Sequence, residues 1–570
     1  MTHLVNKPED FPKELASGFV KSNRRYVRPV FGGVVRATES PKGKVAVVCG
    51  GGTGHYPAFT GWCGPGLVDG VVTGNIFSSP SASQVYSVGK AADNGGGVFI
   101  GIFNYAGDIL HFGLAAERLK ADGVQVATSV VTDDVASAPK ERRLERRGVA
   151  GGLAVLKLTG AAAEEGADLA EVERVFNKAN EHVRTFGVAF SGCTLPGADA
   201  PLFEVPKGMM GVGLGVHGEA GIYDTELGTA DEVAKLLVEK LLEEAPDGAP
   251  KRVVAMLNGL GAAKYEEMFV MYNSVEKRIQ DAGVELVDGE VGEFMTSLDM
   301  SGVSLTLVWL DDELERLWFA PCDTPTYRRA PSMHPMLPED VQFNTEPEPI
   351  QVEAPGSPES QAAAKAIAGG LEAIAQAMEE NRVMLGDLDA IAGDGDHGIG
   401  MSRGSRNAAD VAAQLAKDGA GAKTVLVGAG AKWSEGAGGA SGALWGAALG
   451  AAGNVLGDDK PVDDTAQAEA VRALVDAIVR LGGGKAGQKT MLDAQFPFAD
   501  AFEEAVASGK SAQEAWTSAA AVAVKAAADT ADIEPTLGRA KVLSQKSIGH
   551  PDPGATSFGI IATTVAELFS

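Results

Sequence analysis

The chain is poor in cysteine and in basic charge, and it has no long apolar run. Four cysteines in 570 residues, Cys49, Cys63, Cys193 and Cys322, form no CxxC pair. That count argues against a disulfide framework, so reduced thiols in a cytoplasmic protein are expected. Lys and Arg number 49 against 76 Asp and Glu, a net charge of −27. Phosphate-backbone binding needs a basic face, so a nucleic-acid partner is excluded, and an anionic membrane surface is excluded with it. No uncharged apolar stretch reaches 18 residues. The nearest, 516–528, is too short and holds Lys525. The first residues lack a basic segment followed by an apolar one, so no secretory signal is expected.

What is present is glycine, 73 of 570 residues, in a chain that is 45% hydrophobic. No Gly-X-Y period accompanies it, so the excess reads as backbone loops in a folded protein. The length predicts several domains. Seven of the 27 prolines fall within 331–358, among Glu and Ser, which reads as an extended linker. The expected division is 1–330, a proline-rich linker at 331–359, and 360–570.

The first segment alternates strand and helix patterns. Val-rich runs at 44–49, 97–103 and 124–131 each end in polar or glycine loops, with a helix pattern at 110–120. The pattern restarts near 250, and two α/β lobes are expected. Parallel sheets bind ligands at the carboxyl ends of their strands, where these loops lie. The stretch 304–319 reads as a hairpin. The last segment carries little strand signal. Ala-rich amphipathic patterns at 360–381, 464–481 and 511–529 predict an all-helical domain.

In that helical domain Asp389, Asp394 and Asp396 stand within eight residues, with glycines between them. Carboxylates this close repel one another, so a hard cation, Mg2+ or Ca2+, is a natural partner. Gly398 and Ser405 occupy positions where an EF-hand needs ligands, so Mg2+ with phosphate fits better. The alternative is a solvated helix-entry loop. Loops 436–442, 482–490 and 552–555 have the composition of phosphate cradles. The middle one resembles a P-loop but has Gln488 before Lys489-Thr490 and no preceding strand. Each alone is an ordinary helix connection; together with the aspartates they point to a nucleotide site.

In the first segment Gly50-Gly51-Gly52-Thr53-Gly54-His55 follows a strand, and a dinucleotide fingerprint fails at His55. Gly213–Gly218 matches GxGxxG, but 219–221 start a helix poorly. His217, flanked by glycines, is a candidate nucleophile or base, with a structural role as the alternative. Asp108 is a candidate general base, or a solvated loop carboxylate. His111 and His182 read as structural or solvated.

These residues resemble the dihydroxyacetone kinase family over nearly the whole chain. Gly50–Pro57, Phe77–Ser81, Asn104–Asp108 and 215–219 are similar to its ketose-binding domain. The stretches 393–398, 439–442, 489–491 and 552–555 are similar to its nucleotide-binding domain. The resemblance implies an α/β two-lobed ketose-binding region followed by an all-α antiparallel helical barrel. It implies an ATP-dependent kinase in which His217 holds a short ketose as a covalent hemiaminal. Asp108 would be the base, His55 would assist, and Gly52, Thr53 and Gly54 would line the ketose site. Asp389, Asp394 and Asp396 would hold Mg2+. His397, Gly398, Gly439, Ala440, Ser441, Thr490, Met491, Arg539, Asp552, Pro553 and Gly554 would embrace ATP. It also implies a homodimer, and fusion of the two domains resembles the ATP-using branch.

Three positions in two motifs depart from the family pattern. Thr53-Gly54-His55-Tyr56 replaces Ser-Gly-His-Glu, and Phe103 replaces a Lys before Asn-Tyr-x-Gly-Asp. Phe103 is therefore expected to contribute to substrate choice, with erythrulose, a four-carbon ketose, weighed against dihydroxyacetone. A non-catalytic ketose sensor and an added nucleotide lyase activity are the alternative readings.

Overall fold

A computed structural model describes residues 4–569, apart from Gly218, Ala220, 332–334, Met336, 338–340, Gln342, 344–349 and 538–543. The chain divides into two compact units after Pro338.

The first unit holds two six-stranded sheets. The first is formed by β1 (Val27–Val30), β2 (Gly33–Arg36), β3 (Ala46–Thr53), β4 (Gly70–Ile76), β5 (Val98–Phe103) and β6 (Val126–Val131), in the order β1-β2-β4-β3-β5-β6. Its inner part, β4-β3-β5-β6, is parallel, and β1 and β2 add antiparallel pairs. All eight residues of β3 are buried. A parallel strand covered on both faces needs such a continuous apolar run, which Ala46-Val47-Val48-Cys49 supplies. Glycines then let its end approach its neighbours. A Cβ at Gly52 would stand 2.6 Å from the backbone nitrogen of Ser78, and one at Gly51 2.6 Å from the Phe59 ring.

The second sheet comprises β7 (Val183–Ala189), β8 (Met209–Val212), β9 (Tyr223–Glu226), β10 (Arg252–Gly259), β11 (Glu285–Gly292) and β12 (Gly302–Trp309). Its order is β11-β10-β12-β7-β8-β9, and only β10–β11 is parallel. The parallel alternation read from the sequence thus runs through the first sheet and is limited in the second to β10, the helix Tyr265–Asp281 and β11. The expected hairpin at 304–319 is also corrected: β12 is followed by the helix Asp312–Phe319. Asp311 caps that helix by accepting from the Leu314 N–H at 3.0 Å. Three acidic residues in the first turn complement the helix dipole.

Among the described residues the second unit has helices and no strand. Eight helices of at least eight residues run from Pro358–Glu380 through Ala512–Asp529, and Ser544–Ser547 and Pro553–Glu567 follow. The end of the proline-rich segment belongs to this unit, because Ile350 and Val352 pack on its core. Small residues let the helices close in. A Cβ at Gly430 would lie 2.7 Å from the Gly446 carbonyl oxygen, and one at Gly446 3.0 Å from that of Gly430. No described helix is long and apolar enough to cross a membrane.

Candidate functional site

In the first unit the glycine-rich end of β3 delivers His55, and the loop after β8 delivers His217. Their Nε2 atoms are 3.0 Å apart. His55 Nδ1 lies 2.8 Å from the Thr296 carbonyl oxygen, which can only accept, so that nitrogen carries a proton. His217 Nδ1 lies 3.0 Å from Glu219 Oε1, and the His217 backbone N–H donates to Oε2 at 2.9 Å. Burial, and then the charge of His217, push His55 down to about 3, so it is neutral. Burial alone would raise Glu219, but the hydrogen bond and charge of His217 outweigh it and hold the carboxyl at about 2. Three hydrogen bonds on two rings need three protons. The third is shared between the two Nε2 atoms, with the donor set by the tautomer.

Aromatic rings wall this line. Phe77 stacks on His55 at 4.9 Å, and Phe77 and Tyr105 set edges against His217 at 5.4 and 4.8 Å. Phe77 has φ +52, a conformation rare for a bulky residue. It fits because position 54 is glycine (φ +103), where a Cβ would lie 2.7 Å from the Phe77 ring.

Asp108 is not in a loop but in the first turn of the helix Ala106–Ala121, and it is 6% exposed. Burial raises its carboxyl to about 6, against the pull of a Ser79 hydrogen bond and the charge of His217. Its Oδ1 is buried with no hydrogen-bond partner among the described residues, and so are Thr53 Oγ1 and the Tyr105 hydroxyl. A group at that pKa can take a proton near neutral pH. His111 shares the helix face of Asp108, three residues on, and its Nδ1 is also buried without a partner. His182 sits at a helix end, with Nδ1 against the Lys178 carbonyl oxygen, in a structural role.

Phe103 is corrected. It is 1% exposed, edge-on to Phe59 at 4.8 Å and tilted over Trp62 at 6.2 Å. It is a core residue that supports the site through Phe59, itself edge-on to His55 at 6.3 Å. Gly52 and Gly54 likewise shape the site by admitting Phe77 and Ser78. Tyr56 is 45% exposed and rests against Phe19.

In the second unit one cavity of about 850 Å³ is lined by Asp389, Asp394, Asp396, His397, Gly439, Ala440, Ser441, Thr490, Met491, Asp552, Pro553 and Gly554. Residues from four separate stretches of sequence therefore share one space. One carboxylate oxygen of each aspartate lies within 4.8 Å of the others. Asp389 is folded over its own loop, accepting from the Gly395 N–H at 2.9 Å. A Cβ at Gly393 would lie 2.4 Å from Asp389 Oδ1, so glycine is required there. Three hard oxygen donors at this spacing fit Mg2+. The Gly436–Gly442 stretch is less of a loop than expected: one helix ends at Ala437, and the next begins at Gly439. The free N–H groups of that first turn, near Gly439–Ser441, suit an anion. Asp552 caps the helix Pro553–Glu567 by accepting from the Ala555 N–H at 2.7 Å, and burial raises it to about 7. His397 Nε2 lies 3.0 Å from Ser557 Oγ, tying two helix starts together.

Gly398 does not line the cavity. It seats its helix against a neighbour, since a Cβ there would lie 1.9 Å from the Arg382 carbonyl oxygen. Arg539 lies outside the described residues. Two cations that sequence reasoning left out line the cavity: Arg403, donating to the Gly436 carbonyl, and Lys489, donating to that of Ser547. Lys489 was visible in its motif; Arg403 gave no local signal. In the first unit the omitted residues are Glu219, Tyr105, Phe77 and Thr296. Of these, Glu219 was signalled by standing two residues after His217.

Comparison with known proteins follows this geometry. Residues 17–326 match the Dak1 domain and 391–567 the DAK2 domain. The chain is 53% identical to an L-erythrulose 1-kinase of Mycolicibacterium smegmatis, covering 100% of this chain and 99% of that one. It is 48% identical to a D-erythrulose kinase of the same organism, covering 100% and 98%. Among solved structures, the dihydroxyacetone kinase from C. freundii in complex with AMP-PNP and Mg2+ superposes with TM-score 0.62 at 27% identity, covering 100% and 99%.

Proposed function

The chain belongs to the family of fused Dak1 and DAK2 domains and is a ketose kinase, and we propose that its acceptor is erythrulose, phosphorylated at a terminal hydroxyl with ATP as donor. The observation that carries the mechanism is the line Glu219–His217–His55–Thr296. Nδ1 of His217 is committed to Glu219, so Nε2 is the atom that attacks a carbonyl carbon. Its proton passes to His55 Nε2, which frees the lone pair. The N–C bond forms as the C=O π pair moves to oxygen, and His55 returns the proton to that oxygen. The product is a hemiaminal on a His217 imidazolium, still paired with Glu219. Polyols without a carbonyl cannot be held this way.

Asp108 takes the proton of the terminal hydroxyl as that oxygen bonds the γ-phosphorus and the bond to the ADP oxygen breaks. On the second unit Asp389, Asp394 and Asp396 would hold Mg2+, which supplies positive charge against the phosphate oxygens. Arg403, Lys489 and the helix start at Gly439–Ser441 would hold and orient the phosphates. The reading places the kinase in the cytoplasm as a homodimer, which light scattering would check.

The test compares kcat/KM with ATP for L-erythrulose, D-erythrulose, dihydroxyacetone and glycerol. We expect a tetrulose to lead, with the L form first because the L-specific relative is the more similar, and glycerol to be inert. A clear preference for dihydroxyacetone sinks the tetrulose assignment.

A further inference from the structure

Both oxygens of Glu219 are used on His217, yet Glu219 lies in a loop and is about one-third exposed. Arg147 Nη1 is 3.9 Å from Glu219 Oε2. Gly215 is where the two side chains cross the chain: a Cβ there would lie 2.1 Å from Glu219 Oε2 and 2.5 Å from Arg147 Nη1. The arginine is anchored at its other end. Its Nε donates to Asp134 Oδ2 at 2.8 Å, Nη2 donates to the Gly213 carbonyl at 3.4 Å, and its backbone N–H donates to Ser137 Oγ at 2.9 Å. Asp134 is fixed in turn, accepting from the Ala136 N–H at 3.0 Å. The arginine thus ties the segment after β6 to the loop that carries the nucleophile.

We propose that Arg147, anchored by Asp134, is a positioning residue that fixes Glu219 and tunes how readily His217 gives up its Nε2 proton. This rests on the ketose-kinase reading above. The titratable and charged groups around His217 are Glu219 on its own loop, His55 after β3, Tyr105 and Asp108 at the start of the helix Ala106–Ala121, and Arg147 with Asp134 behind Glu219. Arg147 is the only permanent cation in this set, so it alone offsets the pull of Glu219 on the His217 proton. Removing it leaves His217 protonated to higher pH. Neutralising Asp134 has the opposite sign, because Arg147 then acts on Glu219 undivided.

The test uses the full chain in two readouts. One is kcat/KM for the ketose against pH. The other is the titration of His217 followed by NMR in 15N-histidine-labelled, substrate-free protein, with its signal assigned from His217→Ala. Arg147→Met is expected to raise the His217 midpoint by about one pH unit, while the acid limb of kcat/KM, set by Asp108, stays in place. It should raise KM for the ketose and leave KM for ATP unchanged. Arg147→Lys should return the midpoint most of the way, and Asp134→Asn should lower it. Unchanged midpoints in folded Arg147→Met and Asp134→Asn, or shifts of the same sign in both, overturn the proposal. If Arg147→Met does not fold, the opposite displacements of Arg147→Lys and Asp134→Asn decide it. A wild-type enzyme inactive on every ketose, with the NMR shifts as described, would remove the ketose reading and leave the Arg147 assignment standing.

Discussion

On the function proposed above, the two units each hold a small polar molecule, in opposite ways. The ketose unit builds its site from strand ends, with rings packed on rings and each ring nitrogen of His55 and His217 already engaged. The helical unit builds a wide cavity at helix ends, with two of its three aspartates exposed. A site that makes a covalent bond to a neutral molecule needs a pre-set nucleophile, and low-dielectric walls help to set it. A site for a highly charged nucleotide must stay hydrated until the charges of metal and phosphate meet there. Preorganisation is therefore concentrated where neutral chemistry starts, and openness where charge is delivered.

The sharpest way to break this contrast is to remove one key group from each side. His217→Ala and Asp394→Asn should each lower kcat/KM by about 10³-fold or more. They should do so differently: His217→Ala leaves binding of Mg2+ and nucleotide intact by calorimetry, whereas Asp394→Asn weakens it. Equal loss of nucleotide binding in both would erase the division of labour.

Asp108→Asn should cost about 10²–10⁴-fold in kcat. It should also make the protein more stable at pH 7. The folded-state carboxyl sits at about 6 against 3.8 when unfolded. The folded form therefore binds the proton more tightly, and stability is lost as pH rises through that window. Two pH units correspond to about 3 kcal/mol at most, so a gain of about 1–3 kcal/mol in denaturant melts is expected. A destabilised Asp108→Asn would show that its burial is not a strained, functional one. In the wild type, activity should rise with pH through about 6 as this base ionises, and a flat profile between pH 5 and 7 would count against Asp108 as the base.

Phe103→Lys makes a smaller and more specific point. If Phe103 is core, the lysine should cost about 3 kcal/mol or more in stability, with little change in the ratio of kcat/KM between erythrulose and dihydroxyacetone. A stable variant with switched preference would restore Phe103 to the substrate pocket.

What the sequence made legible was the local part of each site. A histidine among glycines, three aspartates in eight residues and a glycine run after a Val-rich strand are short-range patterns, and each marks a place where the backbone must come close to something. Partners distant in sequence were not legible. Arg147 and Thr296 reach Glu219 and His55 from about 70 and 240 residues away, and nothing in their neighbourhoods announces it. Phe103 misled because it adjoins Asn104–Asp108 in sequence, while its side chain is buried in the Phe59–Trp62 cluster. The segment 314–319 misled because six residues with four apolar ones are too few to separate a helical period from a strand. The Asp311 cap and the acidic turn after it were the signals that should have decided it.

The central claim is that His217 bonds the ketose carbonyl carbon. Carbon NMR of ketose labelled with 13C at its carbonyl, bound to the full chain without ATP, tests it directly. The account predicts that the bound signal leaves the carbonyl region for that of a tetrahedral carbon in the wild type, and that no such species forms with His217→Ala. A bound ketose whose labelled carbon stays trigonal in the wild type would contradict it.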